Sequence, residues 1–572
     1  MKEMPAIVRQ IIEDYLLFVL AWCSHYLYEQ MRPYWRDEPL VKWQALLDFG
    51  PIEQACAPYH KQVTGKPGRP ISHSVPKMVR VLFLMVVHAP CSYRQAERRL
   101  RSDLLWRSFA GYGLFEEVAD HNTIHHFDQY VCQHHPRLYF DTVLRQIDEQ
   151  LPQERARPQI ADTFAMLANA ALEGPTARLR HLTSRLLRAL DKVEPTAYET
   201  ITTDMESLFE EGRLFGWEEV EHPHYWPQER RQQRRQETVI EAILCRELVR
   251  PYEADNPCLA QEAAYLDKMI ADEFRLTRDE QDKVVAAVLL PAEKRGKFRL
   301  CSGTDPEASI RNHGPDKRDF GFNGAVAATD SGIIREIAAH TGSAGDVTTI
   351  PGLLQAQQEH HDLLPPTLSF DQIAGNGKTA AIVHEVSKGQ TRLVAKPNPP
   401  HADDDDKFTP QDCTLSDDGL ALTCPGGQTS RRRYRKEQWG WFFRFIAAQC
   451  LGCPLLERCR GSQERPTTHR DFFISHHMRF FLALLAHSQT NQFRLDMQKR
   501  PRIELVIAHL VLFHGLRRAR FRGLAKVDYQ MKMGAMAYNA KRLLSLLAAK
   551  KRERTPSGAT MAALPGRSLS PA

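Results

Sequence analysis

The sequence has no long hydrophobic run. Its apolar stretch near the N-terminus, Tyr15–Cys23, is "YLLFVLAWC", whereas a helix needs about 20 apolar residues to cross a bilayer. No strongly basic segment precedes this stretch and no small-residue cleavage site follows it, so a secretory signal is not indicated. We therefore predict that it forms the core face of an N-terminal helix. We also predict a cytoplasmic protein with no membrane partner.

The sequence also lacks a large net charge and a pattern of paired cysteines. The net charge is only +6, with 26% charged and 42% hydrophobic residues, which is typical of a globular protein. A chain of 572 residues suggests two to four domains. Seven of the twelve cysteines are scattered from Cys23 to Cys301, which argues against a disulfide framework. The other five fall between Cys413 and Cys459.

Acidic residues are nearly absent from the segment 498–527. Its only carboxylate before Asp528 is Glu504. Clustered cations of this kind can bind phosphates. Glu504 could be a solvated residue, favour the positive end of a helix or pair with a neighbouring arginine. It could also hold a metal ion close to an anion. The basic residues of the segment are Lys499, Arg500, Arg502, Arg517, Arg518, Arg520, Arg522 and Lys526.

The pattern of apolar residues changes at about residue 155. Before it, helical spacing predominates, and Asp120 is a candidate helix N-cap. After it, strand-like runs at 322–329 and 333–340 flank the turn signal Asp330-Ser331-Gly332. Short strands, one of them ending at Asp371, alternate with helices up to residue 396, which favours an α/β core. A charged, helix-rich insertion at about 175–295 interrupts this core.

Three carboxylates occupy positions that suit a metal site. Asp162 follows the first apolar strand, Asp371 ends a later strand, and Glu504 lies in the first turn of a helix that Pro501 begins. Asp is also common in turns and at strand ends, so spacing alone leaves this triad open. Hard oxygen ligands of this type bind Mg²⁺ or Mn²⁺. Two such ions can activate an attacking oxygen and stabilise the leaving oxygen in phosphodiester displacement.

Four stretches resemble bacterial insertion-sequence transposases of the DDE type. The first is "GRPISHSVPKMVRVLFLMVVHAPCSYRQAERRLRSDLLWRSFAGYG", running on to "DHNTIHHF", and it resembles the N-terminal helical domain of that family. "IADTFAMLANAA" resembles the segment around the first catalytic Asp, and "GTDPEASIRNHGPDKRDFGFNGAVAATDSGII" resembles the entry to a family hairpin. "RPRIELVIAHLVLFHGLRRARFRGLAKV", together with "AYNAKRLL" further on, resembles the terminal block with the catalytic Glu. The resemblance spans roughly residues 68–545.

This resemblance implies an RNase-H-like core in which Asp162, Asp371 and Glu504 bind Mg²⁺ or Mn²⁺. It implies cleavage of DNA at the ends of an insertion sequence and strand transfer into target DNA, with a homodimer assembled on the DNA. The chain departs from the family at Val511, where related proteins often carry Lys or Arg, and Asp371 is not followed by Gly-Tyr. The predicted DNA-binding residues are Arg500, Arg502, Arg517, Arg518, Arg520, Arg522 and Lys526.

The five C-terminal cysteines resemble a zinc-ribbon-like insertion found in many of these transposases. Four thiolates suit a closed tetrahedral Zn²⁺ site. The predicted ligands are Cys424, Cys450, Cys453 and Cys459, with Cys413 as a substitute for one of them. Reduced thiols without a metal are the alternative.

We therefore predict an α/β protein with an RNase-H-like catalytic core, an all-α N-terminal domain, a helical insertion and a small cysteine-rich insertion. The predicted domains are 1–150 (helical, DNA-binding or assembly), 155–400 (core), 401–465 (cysteine-rich), 466–550 (end of the core) and 551–572 (disordered tail). A catalytically inactive DNA-binding descendant of a transposase is the alternative function. A zinc-dependent structural protein is a third possibility, but it leaves the Glu504 segment unexplained.

Overall fold

The computed structural model describes residues 6–59, 73–208, 227–295, 299–312, 318–398, 407–416, 418–436, 438–460 and 468–554. The predicted disordered tail lies outside these ranges from residue 555 onward. Within them, no helix combines the length and apolar character that a membrane crossing requires.

Eight helices form the chain up to residue 150 in the described part. Asp120 caps one of them, since its side chain accepts a hydrogen bond from Thr123 N at 2.7 Å, as predicted. Ser92 caps another through a reciprocal capping box with Gln95. The helices are α1 Ala6–Met31, α2 Pro39–Leu46, α3 Gly50–Cys56, α4 Val75–Val87, α5 Tyr93–Ser102, α6 Leu104–Ala110, α7 His121–His134 and α8 Leu138–Gln150.

The prediction that the run Tyr15–Cys23 forms the core face of an N-terminal helix is correct about the helix but wrong about the burial. The run Tyr15–Cys23 is helical, but Tyr15, Leu16, Leu17, Phe18 and Trp22 are all more than half exposed. The helix touches the rest of the chain mainly through its other face, so this apolar run is not buried in the described structure.

Among its described residues, the segment from β1 to residue 289 contains four α-helices and a hairpin with their own hydrophobic core. Leucines of α9 and α12 form much of that core, together with Val239 and Cys245 of α11. The helical character was predicted, whereas the hairpin was not. The elements are β1 Gln159–Leu167, α9 Pro175–Val193, α10 Pro195–Leu208, α11 Gln228–Val249, α12 Pro257–Glu273, β2 Phe274–Arg278 and β3 Val284–Leu289.

The next strands and helices complete a mixed sheet around β1. The predicted hairpin is confirmed, since β5 and β6 pair antiparallel across the turn that contains Gly332. The predicted helices and short strands on either side of Asp371 are also present. The elements are β4 Ser309–Asn312, β5 Arg318–Thr329, β6 Ile334–Thr341, α13 Ile350–His361, β7 Thr367–Ser369, α14 Gly377–Val386 and β8 Arg392–Val394.

The mixed sheet has the strand order β4-β5-β1-β7-β8, and β6 also pairs with β5. β5 is antiparallel to its neighbours, whereas β1, β7 and β8 are parallel to one another. β4 and β6 follow each other along the same edge of β5, pairing on either side of the step between Gly321 and Phe322. A Cβ at Gly321 would lie 2.0 Å from Met166 O, so the close approach of β1 and β5 requires glycine there.

The rest of the chain contains small sheets followed by helices that return to the mixed sheet. Two three-stranded sheets, β9–β11 and β12–β14, share a core with Phe443, Phe445 and Leu422. The elements are β9 Thr414–Leu415, β10 Leu422–Thr423, β11 Thr429–Ser430, β12 Arg433–Lys436, β13 Gly440–Phe445, α15 Leu456–Arg460, β14 Arg470–Ser475, α16 Met478–Ser488, α17 Asn491–Lys499, α18 Arg502–Phe513 and α19 Leu524–Arg554.

The mixed sheet has a hydrophobic core on each face. Successive side chains of a strand point to opposite faces, so Ala161 packs with α13 and α14, while Ile160 and Phe164 face the N-terminal helices and α19. The second of these cores is continuous from Leu40 to Leu543. Trp43 Nε1 donates a hydrogen bond to Ala540 O at 2.8 Å, so the first and last helices of this core are directly joined.

Candidate active site

Two of the predicted acids lie at the same edge of the sheet. β1 pairs with β7 only through Gln159 and Ile160, and β7 ends at Ser369. Asp162 therefore lies within β1, just beyond its pairing with β7, and does not follow the strand as predicted. Asp371 lies in the loop after β7 and not at the end of the strand itself. Because the two strands are parallel, their carboxyl ends open onto one cleft. Ligand sites in open α/β sheets form at such positions.

Asp162 has one cationic contact, and Asp371 has no ion pair among the described residues. Asp162 accepts a hydrogen bond from its neighbour Thr163 N at 2.8 Å and lies 3.3 Å from Arg500 Nη2. Burial raises its pKa, and the charges of Asp346 and Glu504 raise it further. Burial also raises the pKa of Asp371, with the charges of Asp162 and Asp346 adding to it.

One oxygen of Asp371 is an orphan. Its Oδ1 is buried and has no hydrogen-bond partner among the described residues. A buried acceptor normally has a partner, and carboxylates that repel one another are stabilised by a bound cation. The donor set is made of oxygen atoms only, which is the preference of Mg²⁺ and Mn²⁺. The cleft therefore fits a divalent cation.

Glu504 faces the same cleft from the first turn of α18. Its side chain is 66% exposed, and its Oε1 lies 3.9 Å from Arg500 Nη1. The guanidinium of Arg500 thus lies between Asp162 and Glu504. In the part of the chain that the structure describes, no three His, Cys, Asp or Glu side chains are close enough to hold a metal ion together. Glu504 is the acid with the most freedom to move.

A fourth acid and a buried arginine were missed from the sequence. Asp346 Oδ1 accepts hydrogen bonds from Thr163 Oγ1 at 2.6 Å, Asn323 Nδ2 at 3.1 Å and Arg311 Nη2 at 3.2 Å. Arg311 is 8% exposed, and its Nη1 has no partner among the described residues. In sequence, Asp346 resembles an ordinary helix-capping residue, and only its contact with Thr163 places it beside Asp162.

Two of the basic residues before and within α18 hold that helix against the β5–β6 turn. Lys499 Nζ lies 3.0 Å from Asp330 Oδ2, and Arg502 donates a hydrogen bond to the backbone oxygen of Asp330. Arg157 also pairs with Asp330, at 3.0 Å. These contacts fix the start of α18, and hence Glu504, relative to the sheet.

The other predicted DNA-binding residues lie beside the end of β1. Leu167 N donates to Arg517 O at 3.1 Å, and Ala519 N donates to Leu167 O at 2.8 Å. Arg520 lies over the ring of Tyr93, 5.1 Å from its centroid. The exposed cations of this segment, called here the basic loop, are Arg517, Arg518, Arg520, Arg522 and Lys526.

The motif "TDPEA" at residues 304–308 binds the backbone of the basic loop through two carboxylates. Asp305 Oδ1 accepts a hydrogen bond from Gly523 N at 3.2 Å, and Glu307 Oε2 accepts one from Leu524 N at 2.6 Å. Gly523 and Leu524 begin α19, so the two acids cap the last long helix of the chain. Asp305 is 1% exposed, which makes it a structural anchor of the loop.

The cysteine-rich region brings two thiols against one glycine, but in the described part of the chain no three of its cysteines are close enough to hold a metal ion together. A Cβ at Gly426 would lie 2.8 Å from Cys453 Sγ and 3.7 Å from Cys424 Sγ, so both sulfurs lie against one glycine. Gly427 N donates to Cys424 O at 2.9 Å, and Cys453 N donates to Cys450 O at 3.3 Å, so each belongs to a tight turn.

The fifth thiol of this region is the most buried of the group. Burial raises the pKa of Cys413 to about 12, and the neighbouring thiols Cys424 and Cys459 contribute to the rise. Cys413, Cys424, Cys450 and Cys459 surround the same small hydrophobic core.

Two family models match the chain. A transposase domain (DUF772) matches residues 27–130, and a transposase DDE domain matches residues 423–544. The second match contains Glu504, the basic loop and four of the five C-terminal cysteines, whereas Asp162 and Asp371 lie between the two matches. Neither the curated proteins nor the solved structures include a match to this chain.

Proposed function

Because the chain is a DDE transposase, carrying a transposase domain at each end of its fold, we propose that Asp162, Asp371 and Glu504 are its catalytic metal ligands. DDE transposases cleave DNA with the help of divalent metal ions. The observation that carries the assignment is the orphaned oxygen of Asp371, which lies in a cleft with Asp162 and Asp346, whose charges help to raise the pKa of Asp371. Bound ions would activate the attacking oxygen and stabilise the leaving oxygen of a phosphodiester.

The proposed core is RNase-H-like. Support comes from the strand order β6-β5-β1-β7-β8 and from the single antiparallel strand β5 between β6 and β1. Helices α13 and α14 connect β6 to β7 and β7 to β8, which also agrees with such a core. The resemblance implies one acid on the first strand of the core, one after its fourth strand and one on a later helix. Asp162 on β1, Asp371 after β7 and Glu504 on α18 have this arrangement.

We propose that Arg500 exchanges partners when DNA binds. Its guanidinium contacts Asp162 at 3.3 Å and lies 3.9 Å from Glu504, while its Nε has no partner among the described residues. A phosphate is a stronger bidentate partner for arginine than these loose contacts. Transfer of Arg500 to a phosphate would release Glu504 to complete the carboxylate set. Arg500 would then position both the DNA and the third acid.

We propose that the basic loop binds the DNA backbone. Its arginines are exposed and lie beside the end of the strand that carries Asp162. No Asn or Gln is interleaved with them between Arg517 and Lys526, and such amide side chains are the usual readers of adenine. Arginines without such partners favour contacts that position the DNA over contacts that read its bases.

We propose that the cysteine-rich region binds one Zn²⁺ through Cys424, Cys450, Cys453 and Cys459. Two tight turns, each containing one or two of these cysteines, support a closed thiolate site. Cys413 is the substitute ligand because it lies in the same small core. Zn²⁺ would stabilise the local fold without taking part in DNA cleavage.

We propose that the chain is divided into the domains predicted from the sequence, with the N-terminal unit packed firmly on the catalytic core. The separate cores of residues 175–289 and of the cysteine-rich region support two insertions into the catalytic core. The N-terminal helices share a core with the mixed sheet, so the unit at 1–150 would be fixed against the catalytic core.

Glu504→Gln tests the proposed function. The variant keeps the shape of the side chain and the cationic surface but removes a metal-binding charge. DNA binding should persist or tighten, because one negative charge near the phosphates is lost, while Mg²⁺-dependent strand cleavage should disappear. The measurements are gel-shift titration and cleavage of labelled DNA that carries the ends of the element.

Glu385→Gln is the matched control, since Glu385 is an exposed helical glutamate on α14. It should leave both binding and cleavage unchanged. Cleavage by Glu504→Gln at the normal rate would place the third catalytic acid elsewhere. A wild-type protein that binds element ends but never cleaves would support the inactive descendant.

A further inference from the structure

Helix α1 carries a stripe of exposed aromatic side chains that the catalytic function does not use. Tyr15, Phe18, Trp22 and Tyr26 recur at spacings of three and four residues and so lie on one helix face. Their exposed fractions are 69%, 69%, 61% and 52%. The rings of Trp22 and Tyr26 stack with centroids 5.8 Å apart. These four residues are called here the aromatic stripe.

The opposite face of α1 anchors the helix, which fixes the stripe toward solvent. Ser24 Oγ accepts a hydrogen bond from Leu114 N at 2.9 Å, and Tyr28 Oη donates one to Tyr112 O at 2.9 Å. Ser24 is only 3% exposed. Because these contacts lie about half a turn away from the aromatic stripe, the stripe cannot rotate inward without breaking them.

The exposed apolar area is large enough for a stable protein interface. The aromatic stripe and the three exposed aliphatic side chains beside it leave roughly 800 Å² uncovered, taking aromatic and aliphatic side chains at their usual sizes. A typical monomer exposes no apolar patch above about 300–600 Å², and a standard interface buries about 800 Å² on each partner. The three aliphatic side chains are Ile12, Leu16 and Leu27.

The absence of charge on the aromatic stripe favours a protein partner over DNA or a membrane. No Asp, Glu, Lys or Arg occurs from Tyr15 to Tyr28, so the stripe has no cations for DNA or for anionic lipid headgroups. A helix that lies on a membrane needs a charged face toward water, whereas the other face of α1 packs on the protein. Two identical uncharged stripes can meet without any like-charge repulsion.

We propose that the aromatic stripe of α1 binds the same stripe of a second copy of this chain. The contact would be isologous, with each helix packing its aromatic residues against those of its partner across a two-fold axis. The spacing of three and four residues is that of a helix–helix seam. The whole stripe precedes the matched domain, which begins at residue 27. The inference does not depend on the proposed metal centre.

The test compares the mass of the full-length wild type with that of Trp22→Glu and Phe18→Glu by analytical ultracentrifugation at micromolar concentrations. The wild type should sediment as a species of twice the chain mass of 65.5 kDa. Each variant should raise the dissociation constant at least about 30-fold, as expected for an aromatic residue central to an interface. Tyr34→Glu is the matched control, because Tyr34 is 82% exposed but lies outside α1.

Circular dichroism of each variant separates loss of pairing from loss of folding. A monomeric wild type would overturn the proposal. A dimer that persists in both Trp22→Glu and Phe18→Glu, or one that Tyr34→Glu disrupts equally, would also overturn it. Flotation with phosphatidylcholine–phosphatidylserine vesicles provides the remaining outcome. A monomeric wild type that floats with the vesicles, when Trp22→Glu does not, would make the stripe a membrane contact.

Discussion

Asp371→Asn should stabilise the metal-free protein while it weakens metal binding. The substitution keeps the size of the side chain and removes a charge that faces Asp162 and Asp346. The neutral amide no longer repels these carboxylates. A buried acceptor without a partner costs roughly 1–3 kcal/mol. Because Asp371 is partly exposed and solvent screens its charge, we expect a gain in unfolding free energy of about 1 kcal/mol at neutral pH.

The pH dependence of this gain has a definite sign. The pKa of Asp371 is raised in the folded protein, so the folded state holds its proton to a higher pH than the unfolded state does. The cost of the ionised form is therefore absent well below the unfolded pKa of about 3.9. It grows as the pH rises through the folded pKa and is complete above it. The advantage of the variant should follow the same course.

Adding Mn²⁺ should make the wild type more stable than Asp371→Asn. A ligand present at 100 times its dissociation constant stabilises the folded state by about 2.7 kcal/mol, and the variant should lose most of this gain. Urea unfolding with and without Mn²⁺ measures both effects. Asp191→Asn, an exposed residue of α9, is the matched control and should shift stability by less than about 0.5 kcal/mol. A metal-free variant that is less stable than the wild type, or an unchanged Mn²⁺ effect, would refute the reasoning.

Three further predictions concern the basic loop, the thiols and the cap of α19. Arg518→Ala and Arg520→Ala should weaken binding to element-end and unrelated DNA alike, and each lost phosphate contact should lower the salt slope by about 0.9 in fluorescence titrations. Loss of discrimination at an unchanged slope would contradict this. Cys453→Ser should abolish the single zinc found by metal analysis of the wild type and speed hydrogen exchange in the cysteine-rich region alone, unlike Cys258→Ser, which changes an exposed thiol. Asp305→Ala should lower the free energy of unfolding by about 1–2 kcal/mol through loss of the helix cap, and an unchanged urea midpoint would contradict that role.

The parts of the fold that depend on local patterns could be predicted from the sequence. The turn at Gly332 is one case, and the strand and helix on either side of Asp371 are another. The hairpin of β2 and β3 was missed because it follows a long charged helical stretch and has few turn signals of its own.

Features that depend on distant contacts could not be predicted. Asp346 belongs beside Asp162 only because Thr163 Oγ1 reaches it across the sheet. The exposure of Phe18 had no local signal, since an apolar helical run looks the same whether it packs inward or outward. The candidate acids could be named from the sequence because a resemblance supplied the long-range information that spacing lacks.

The shared core of the N-terminal helices and α19 has a consequence for how the protein is made. The hydrogen bond from Trp43 to Ala540 can form only after the ribosome has added 497 further residues. At about 5–20 residues per second this delay is on the order of 25–100 s. Until then the first helices expose the apolar face that α19 covers. A chain that terminates early therefore leaves this apolar face of its N-terminal helices uncovered.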